Sequence, residues 1–318
     1  MAQRVPVIGL GTYLVRRMNR CSGRLQLQYS TLAEATKVCA AVKYAIDVGY
    51  RHFDCAYLYG NEKEIGQANA AKISEGIVTR EELFVTSKLW NTFHSRAKVA
   101  EGVAISLKRL SLDYLDLFLI HFPMGYKEGR SSHPGSYSDV DYLETWKALE
   151  DVVDSGKVRA IGISNFNVPQ TKRILDHCRI RPLCNQIEVN VYLQNRALVD
   201  FCAKNHVAVV AYAPLGGEYA EVGSDLGSPL ADPVVHETAQ KYGKTPAQIL
   251  IKFLLQQNLI AVPKSVTKSR IKQNFDVFDF TLEEPDMSCL RALDKGQMYR
   301  STAMLNVCDH KYYPFHAE

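Results

Sequence analysis

The 318-residue sequence lacks the features that mark several common classes of protein. No apolar run reaches the roughly 18 residues that a membrane-spanning helix needs, so no membrane partner is expected. Positive charge is not concentrated either, because 38 Lys and Arg residues stand against 34 Asp and Glu residues. Since no dense basic block interleaved with aromatic residues is present, a nucleic-acid partner is not expected.

Paired cysteines are also missing. The eight cysteines form no CxxC motif and have no spacing typical of zinc sites, so no metal is expected. Their scatter in a chain of this length is typical of free thiols in a reducing compartment. The sequence has no Asn-x-Ser/Thr sequon that would favour secretion. These absences together predict a cytoplasmic globular protein.

Apolar runs rich in Val, Ile, Leu and Phe alternate with amphipathic segments along the whole chain. Several runs are apolar throughout, as expected for strands buried on both faces of a parallel sheet. Eight strand-then-helix units in a chain of this length predict a (β/α)8 TIM barrel that forms a single domain over 1–318. The predicted strands are 6–12, 51–55, 83–88, 115–121, 158–164, 184–189, 207–213 and 259–264.

A doubly wound sheet is the alternative fold, and it requires a glycine fingerprint after the first strand. Gly9 and Gly11 supply the first two glycines, but Leu14 stands where the third is expected. No acidic residue follows about 20 positions after a short turn, as dinucleotide recognition by that fold would need. The doubly wound fold is therefore disfavoured.

Four polar side chains are expected to lie together at one rim of the sheet. They stand where three successive apolar runs stop, within 51–62, 83–90 and 115–123. An ionisable group inside a strand costs several kcal/mol unless it is paired, so positions at strand ends predict one shared site. The four residues are Asp54, Tyr59, Lys88 and His121.

The chemistry that these four residues suit is proton donation to a carbonyl group. A tyrosine can act as a general acid if its pKa, near 10 in solution, is lowered toward the working pH. Lys88, held by an ion pair with Asp54, could lower the pKa of Tyr59 by stabilising the phenolate. His121 could hydrogen-bond the carbonyl oxygen, which would suit carbonyl reduction if a hydride donor lies opposite. The alternative is a purely structural Lys88–Asp54 pair.

A second set of residues predicts a phosphate site after the last strand. The run AVPKSVTKSRIKQNF (261–275) passes from a strand into a helix that Thr267 could cap. A helix N-terminus near cations attracts phosphate, and the loops after the last two strands of a barrel commonly bind one. The candidates are Lys264, Ser265 and Arg270. The alternative is a solvated basic helix face.

Amide and hydroxyl groups end three other predicted strands. Amides could hold a carboxamide such as that of nicotinamide, and a tyrosine ring could stack on its ring. Each residue alone has a simpler explanation as a polar residue of the rim, but as a set they favour a flat polar ligand. They are Ser164, Asn165, Gln186 and Tyr212.

The motifs that contain these residues resemble those of the aldo-keto reductases. The likeness extends from Val5 to the tail HKYYPFH (310–316), and so many motifs in one order are highly specific. The resemblance implies the (β/α)8 barrel independently of periodicity. The motifs are GLGTY (9–13), GYRHFDCAYLYGNE (49–62), SKLW (87–90), LDLFLIHFP (115–123), IGISNFN (161–167), NQIEVN (185–190), AYAPLG (211–216) and VPKSVTKSRIKQN (262–274).

The resemblance implies NADPH-dependent reduction of aldehydes or ketones. Tyr59 would be the proton donor, tuned by Lys88 and Asp54, with His121 orienting the carbonyl. The cations Lys264 and Arg270 would bind the adenosine 2′-phosphate and so select NADPH over NADH. The implied cofactor contacts are Thr12, Asp54, Ser164, Asn165, Gln186, Tyr212, Leu215, Lys264, Ser265, Arg270 and Asn274. The implied substrate contacts are Tyr13, Trp90, His121, Phe122, Thr302 and Met304.

Some positions depart from the family pattern. Phe122 stands where many members have tryptophan, and Tyr13 stands where aldose-reductase-like members have another. The loss of two indole N–H donors makes a polar, sugar-like substrate less expected and the pocket wall more apolar. The loop 14–30 is enlarged, the segments 123–141 and 214–230 are long, and the tail 297–318 is expected to lie over the active-site mouth and shape substrate access. The N-terminus is too short for the complete β-hairpin that normally plugs the barrel bottom.

Within the family the motifs look most like those of insect members, some of which reduce the 3-ketone of ecdysteroids. An ecdysteroid or another apolar carbonyl compound is therefore the expected substrate, and a monomer is expected. Two other functions compete with this one. The family also resembles lens proteins and channel subunits that bind NADPH with little catalysis, and His52-x-Asp54 resembles a degraded metal-hydrolase motif.

Overall fold

The computed structural model describes residues 5–13, 32–128, 135–217 and 226–315. Eight parallel strands pair in the order in which they occur along the chain, and helices separate them. The first strand also pairs with the last, since Gly9 N donates to Ala261 O at 2.9 Å and Gly11 N donates to Pro263 O at 3.0 Å. The sheet therefore closes on itself, which confirms the predicted (β/α)8 barrel.

Each strand lies within or close to its predicted range, so the apolar runs located all eight correctly. The two strands at the seam are the shortest, and isolated bridges at Ile8 and Lys264 extend their pairing. The strands are β1 Leu10–Gly11, β2 His52–Asp54, β3 Phe84–Leu89, β4 Leu115–Ile120, β5 Val158–Ser164, β6 Cys184–Glu188, β7 Ala208–Tyr212 and β8 Ile260–Ala261.

Ten α-helices occur in the described part of the chain, several with proline in the first turn. They are α1 Leu32–Val48, α2 Glu62–Ser74, α3 Arg96–Leu110, α4 Tyr142–Asp154, α5 Val168–His177, α6 Arg196–Lys204, α7 Pro233–Tyr242, α8 Pro246–Leu255, α9 Lys268–Phe275 and α10 Glu284–Arg291. No described helix is both long enough and apolar enough to cross a membrane.

Two apolar cores hold this architecture together. The larger core lies between the strands and the surrounding helices, where Trp146 and Phe118 are completely buried. A smaller core includes Leu117, Leu119 and Val210, which alternate along their strands with residues of the larger core and therefore face the barrel interior. Val5 belongs to this inner cluster, so the described residues that precede β1 contribute to it.

The long segments predicted around the mouth are only partly described. The enlarged loop 14–30 lies outside the described residues. The segment 123–141 contains an antiparallel bridge between Tyr126 and Tyr137. In the tail, residues 297–315 contain two short 3-10 turns and pack on the loop after β4, where Val307 and Tyr313 contact a cluster around Phe122.

Candidate active site

An ion pair at the ends of β2 and β3 forms the centre of the site. The Lys88 ammonium lies 2.8 Å from each carboxylate oxygen of Asp54, and both side chains are almost completely buried. Lys88 also donates to the carbonyl oxygen of Cys55 at 2.9 Å and to the Tyr59 hydroxyl at 3.3 Å. Since β2 and β3 are parallel neighbours, their carboxyl ends bring these groups together, as the sequence predicts.

Tyr59 ends a 3-10 turn, Tyr57–Tyr59, that follows β2. Two hydrogen bonds hold the segment just after this turn against neighbouring strands. Asn61 Nδ2 donates to the carbonyl oxygen of Thr12 at 2.7 Å, and Ser87 Oγ donates to the buried Glu62 carboxylate at 2.7 Å. Tyr59 is thus positioned from the β1 side and from the β3 side at once. The sequence reasoning missed the roles of Asn61 and Glu62.

The expectation that the pKa of Tyr59 is lowered toward the working pH is wrong. Burial, and then the negative charge of Asp54, raise the pKa of Tyr59 well above its ordinary value. Because Asp54 contacts Lys88 through both oxygens, its charge largely offsets the ammonium at the phenol. The phenol therefore stays protonated at neutral pH, which is the form that a proton donor needs, and the hydrogen bond from Lys88 favours the phenolate as it forms.

His121 follows β4 and meets Tyr59 edge to face, with ring centroids 5.9 Å apart. Burial and the nearby Lys88 charge hold the pKa of His121 well below its usual range, so the ring is neutral at physiological pH. A neutral imidazole can donate one hydrogen bond from one nitrogen, which suits it to orient a carbonyl oxygen. The structure thus brings the four predicted residues into one cluster.

A chain of hydrogen bonds connects this cluster to the ends of β5, β6 and β7. Gln186 Nε2 donates to Asp54 Oδ1 at 2.7 Å, and the Ser164 hydroxyl donates to the carbonyl oxygen of Gln186 at 2.9 Å. Asn165 Nδ2 donates to the carbonyl oxygen of His121 at 3.0 Å, and its Oδ1 accepts from the Tyr212 hydroxyl at 2.8 Å. The amides are therefore preorganised beside the predicted acid.

The predicted phosphate residues follow β8. Lys264 lies beside Gly11 across the seam, and the Ser265 hydroxyl accepts from Thr267 N at 3.1 Å. Thr267 is the residue before α9, although its side chain makes no cap hydrogen bond. Neither Lys264 nor Arg270 forms an ion pair within the described ranges, and Arg270 is exposed on α9.

The remaining predicted cofactor residues lie around this end of the barrel. Thr12 donates from its hydroxyl to the carbonyl oxygen of Asp54 at 2.8 Å, which connects β1 to the ion pair. Asn274 is buried on α9, and Leu215 is half-buried after β7, where it packs on the larger core.

Aromatic rings form a wall beside the predicted acid. Tyr13 lies 5.1 Å from Tyr59 between ring centroids and remains 41% exposed. Trp90 contacts His121 edge to face at 5.5 Å and Phe122 at 6.4 Å. Met304, from the tail, packs on the Phe122 cluster. Most of the predicted substrate residues thus meet in one surface, whereas Thr302, also in the tail, donates its backbone N–H to Glu188.

Glu188, a further residue that the sequence reasoning missed, connects the tail to the barrel. Its fully buried carboxylate ends β6 and accepts hydrogen bonds from Ser301 and Thr302. A charged residue at the end of a buried strand is the same signal that identified Asp54 and Lys88, and it was available in the run NQIEVN.

The metal-hydrolase alternative does not fit the positions of His52 and Asp54. The Nε2 atom of His52 lies 3.1 Å from the Thr86 hydroxyl, and the Asp54 carboxylate is held by Lys88 and Gln186. Within the described ranges no group of three or more His, Cys, Asp or Glu side chains could hold a metal ion.

Known proteins resemble this chain over nearly its whole length. The Aldo/keto reductase family model matches residues 8–295. Rho crystallin of Rana temporaria is 41% identical to this chain, over 99% of this chain and 95% of its own length. Aldo-keto reductase family 1 member A1 of Homo sapiens is 42% identical, over 98% of this chain and 95% of its own length.

A solved structure resembles this one at the level of the whole fold. The crystal structure of an aldo-keto reductase of the silkworm Bombyx mori, complexed with NADPH, matches with a TM-score of 0.86 at 39% identity. The match covers 99% of this chain and 91% of that chain.

Proposed function

This chain belongs to the aldo/keto reductase family, and we propose that Tyr59 is the proton donor in its NADPH-dependent reduction of carbonyl compounds. The protein is an NADP-dependent oxidoreductase of this family, and NADPH is its cofactor. The observation that carries the assignment is the hydrogen bond from the buried Lys88 ammonium to the Tyr59 hydroxyl at 3.3 Å.

The proton transfer follows from the charges around Tyr59. The phenol is neutral at the start of the reaction because burial and Asp54 raise its pKa. As the proton leaves toward the substrate oxygen, negative charge develops on the phenolate, and the Lys88 ammonium stabilises that charge. His121, neutral and in edge contact with Tyr59, donates a hydrogen bond to the same substrate oxygen and holds it in place.

The residues present fit the cofactor at both of its ends. Ser164, Asn165 and Gln186 offer hydroxyl and amide groups suited to a carboxamide, and the half-buried Tyr212 ring offers a face for stacking. Lys264 and Arg270, which lack carboxylate partners in the described chain, offer charge to a 2′-phosphate. When bound, the reduced nicotinamide supplies the hydride.

Substitution of Tyr59 tests this assignment. Tyr59→Phe removes the proton donor, so kcat for an aromatic aldehyde is expected to fall by about 10²- to 10⁴-fold. NADPH affinity, measured by quenching of protein fluorescence, is expected to change little. The matched control is Tyr57→Phe in the same 3-10 turn, where the ring stacks under Arg109 and against Phe93. Unchanged turnover in Tyr59→Phe would refute the proton-donor role.

We propose further that the substrate is a large apolar carbonyl compound, with the 3-ketone of an ecdysteroid as the first candidate. The support is the apolar wall that Trp90, Phe122 and Met304 form beside Tyr59, since apolar rings bind a steroid skeleton better than a sugar. Incubation with 3-dehydroecdysone and NADPH tests the candidate against an aromatic aldehyde, a sugar aldehyde and a dicarbonyl. Activity on small aldehydes without turnover of the ketosteroid contradicts it.

A second candidate function is NADPH binding with little catalysis. It is favoured by the likeness to a protein named rho crystallin. The complete set of Asp54, Tyr59, Lys88 and His121 favours the enzyme, because a binding protein would not need a preorganised acid. Tight NADPH binding without NADPH consumption on the four substrates would favour the second candidate.

We also propose a cytoplasmic monomer. All four proposed catalytic residues come from one chain, so the site needs no second copy to be complete. The seven cysteines in the described ranges are free thiols, as is usual in a reducing compartment. Light scattering coupled to size exclusion should give a mass near 35.8 kDa.

A further inference from the structure

The buried carboxylate of Glu188 lies at the rim of the barrel, two residues beyond Gln186 on β6. Side chains two apart on a strand share a face, so Glu188 is on the same side of β6 as the amide that bonds to Asp54. Glu188 is also the residue paired with Tyr212 on β7. Its charge therefore lies beside the groups proposed to bind nicotinamide.

Among the described residues, the hydrogen bonds to this carboxylate come from the C-terminal tail. Oε1 accepts from Ser301 N at 3.0 Å and from the Ser301 hydroxyl at 2.6 Å, and Oε2 accepts from Thr302 N at 3.1 Å. Within the described ranges no Lys, Arg or His forms an ion pair with Glu188. A buried carboxylate without partners is strongly disfavoured, so these hydrogen bonds hold the tail in place for as long as Glu188 stays shielded from water.

The surrounding backbone is shaped to accept this part of the tail. Gly217 has φ +61°, and a Cβ there would lie 2.7 Å from the Ser301 hydroxyl oxygen. On the other side, Asn195 Nδ2 donates to the carbonyl oxygen of Glu188 at 2.6 Å, while Asn195 Oδ1 accepts from Arg300 at 3.2 Å. Glycine at 217 and asparagine at 195 thus let residues 300–302 approach β6 closely.

The tail residues that follow this anchor reach the apolar wall of the site. Met304 packs on the cluster of Phe122, Met124 and Tyr126. We propose that Glu188 is a positioning residue that holds the tail over the mouth and thereby sets the preference for large over small carbonyl substrates. This inference rests on the proposed carbonyl reduction.

The test compares two isosteric substitutions of buried carboxylates. Glu188→Gln places an amide N–H against the Thr302 or the Ser301 N–H, so the tail should loosen. Glu150→Gln is the matched control, because Glu150 is also buried and accepts from the backbone N–H groups of Arg179 and Ile180, away from the proposed catalytic residues. Hydrogen exchange of a peptide covering 300–304 is expected to rise about tenfold in Glu188→Gln, the change that about 1.4 kcal/mol produces, and to stay at the wild-type rate in Glu150→Gln.

The second measurement is the ratio of kcat/KM for a steroid ketone to kcat/KM for an aromatic aldehyde. In Glu188→Gln this ratio is expected to fall about tenfold, equivalent to about 1.4 kcal/mol, mainly through a higher KM for the ketone. Glu150→Gln should leave the ratio unchanged. A general loss of stability would instead lower both activities together in both variants.

The exchange measurement tests whether Glu188 anchors the tail, and the kcat/KM ratio tests whether the anchor affects substrate preference. Unchanged exchange in Glu188→Gln overturns the anchor, and faster exchange with an unchanged ratio overturns the effect on substrate preference. If wild-type protein reduces no carbonyl compound, the proposed function fails, whereas the exchange data still show whether Glu188 holds the tail. If Glu188→Gln does not fold, Ser301→Ala removes one donor and should shift both measurements in the same direction by a smaller factor.

Discussion

The Lys88 ammonium lies 2.8 Å from both carboxylate oxygens of Asp54, and the two residues are 0% and 3% exposed. A pair buried this deeply is retained only if each charge has its partner, because desolvating one charge alone is costly. Asp54 also accepts from Gln186 at 2.7 Å, so the carboxylate connects the proposed acid to the proposed carboxamide contact. Stability and catalysis therefore depend on the same pair.

Lys88→Met should lower the free energy of unfolding by about 3–5 kcal/mol, because it leaves Asp54 buried without its cation. The double variant with Asp54→Asn should recover a large part of this loss. Urea unfolding followed by circular dichroism measures both. Equal stability of the single and double variants would mean that the charge of Asp54 is solvated, contrary to its burial.

Unfolding should depend on pH through the buried histidines. Burial lowers the pKa of His52 from 6.5 to about 4, so the folded protein keeps the ring neutral where the unfolded chain takes up a proton. The contribution of His52 to the free energy of unfolding is therefore complete above pH 6.5 and is lost as the pH falls toward 4. The free energy of unfolding should fall by about 2 kcal/mol between pH 6.5 and 5. The difference in unfolding free energy between wild type and His52→Gln should shrink accordingly, and a difference that does not change with pH would contradict the expectation.

Cofactor selectivity should depend on Lys264 and Arg270, two cations that form no ion pair among the described residues. Lys264→Ala and Arg270→Ala should each raise KM for NADPH by about 10- to 100-fold, the range for a lost charge-assisted contact, while KM for NADH changes little. Lys272→Ala, which removes an exposed charge from the same helix, is the control. A parallel rise in KM for both cofactors would contradict a specific 2′-phosphate site.

Removing the hydroxyl group that donates to the buried Glu62 carboxylate should lower the free energy of unfolding. Ser87→Ala leaves Glu62 with Arg109, at 3.4 Å, as its one side-chain partner among the described residues, and should cost about 1–3 kcal/mol of unfolding free energy. Ser106→Ala is the matched control, because the buried Ser106 hydroxyl has no hydrogen-bond partner among the described residues. Its removal should be neutral or stabilising. Similar losses in the two variants would show that packing, rather than this hydrogen bond, determines the stability.

The barrel was predictable because its signals are local. Continuous apolar runs identified every strand, and the polar residues that end β2, β3 and β4 identified the ion pair of Lys88 and Asp54. The direction of the pKa shift of Tyr59 was not predictable, because it depends on how close Asp54 lies to Lys88 and on how much water reaches the phenol. Neither the distance nor the access of water can be derived from the spacing of residues in the sequence.

Glu188 illustrates a different limit of prediction from the sequence. Its position at the end of β6 was readable from the sequence, but its partners, Ser301 and Thr302, lie more than a hundred residues later in a tail without periodicity. Only the folded structure brings the two segments together. The same holds for Asn61, whose hydrogen bond to Thr12 crosses from the segment after β2 to the end of β1.

The seam between β1 and β8 joins distant parts of the chain, since Gly11 N donates to Pro263 O and Ala261 N donates to Val7 O, each at 3.0 Å. Pairing of strands so far apart in sequence is slow, because the intervening chain must first be ordered. On the ribosome, Tyr59, Lys88 and His121 emerge long before the segment that closes the barrel. The nascent chain therefore exposes two unpaired strand edges until β8 has emerged, and the barrel that holds these residues can close only after that point.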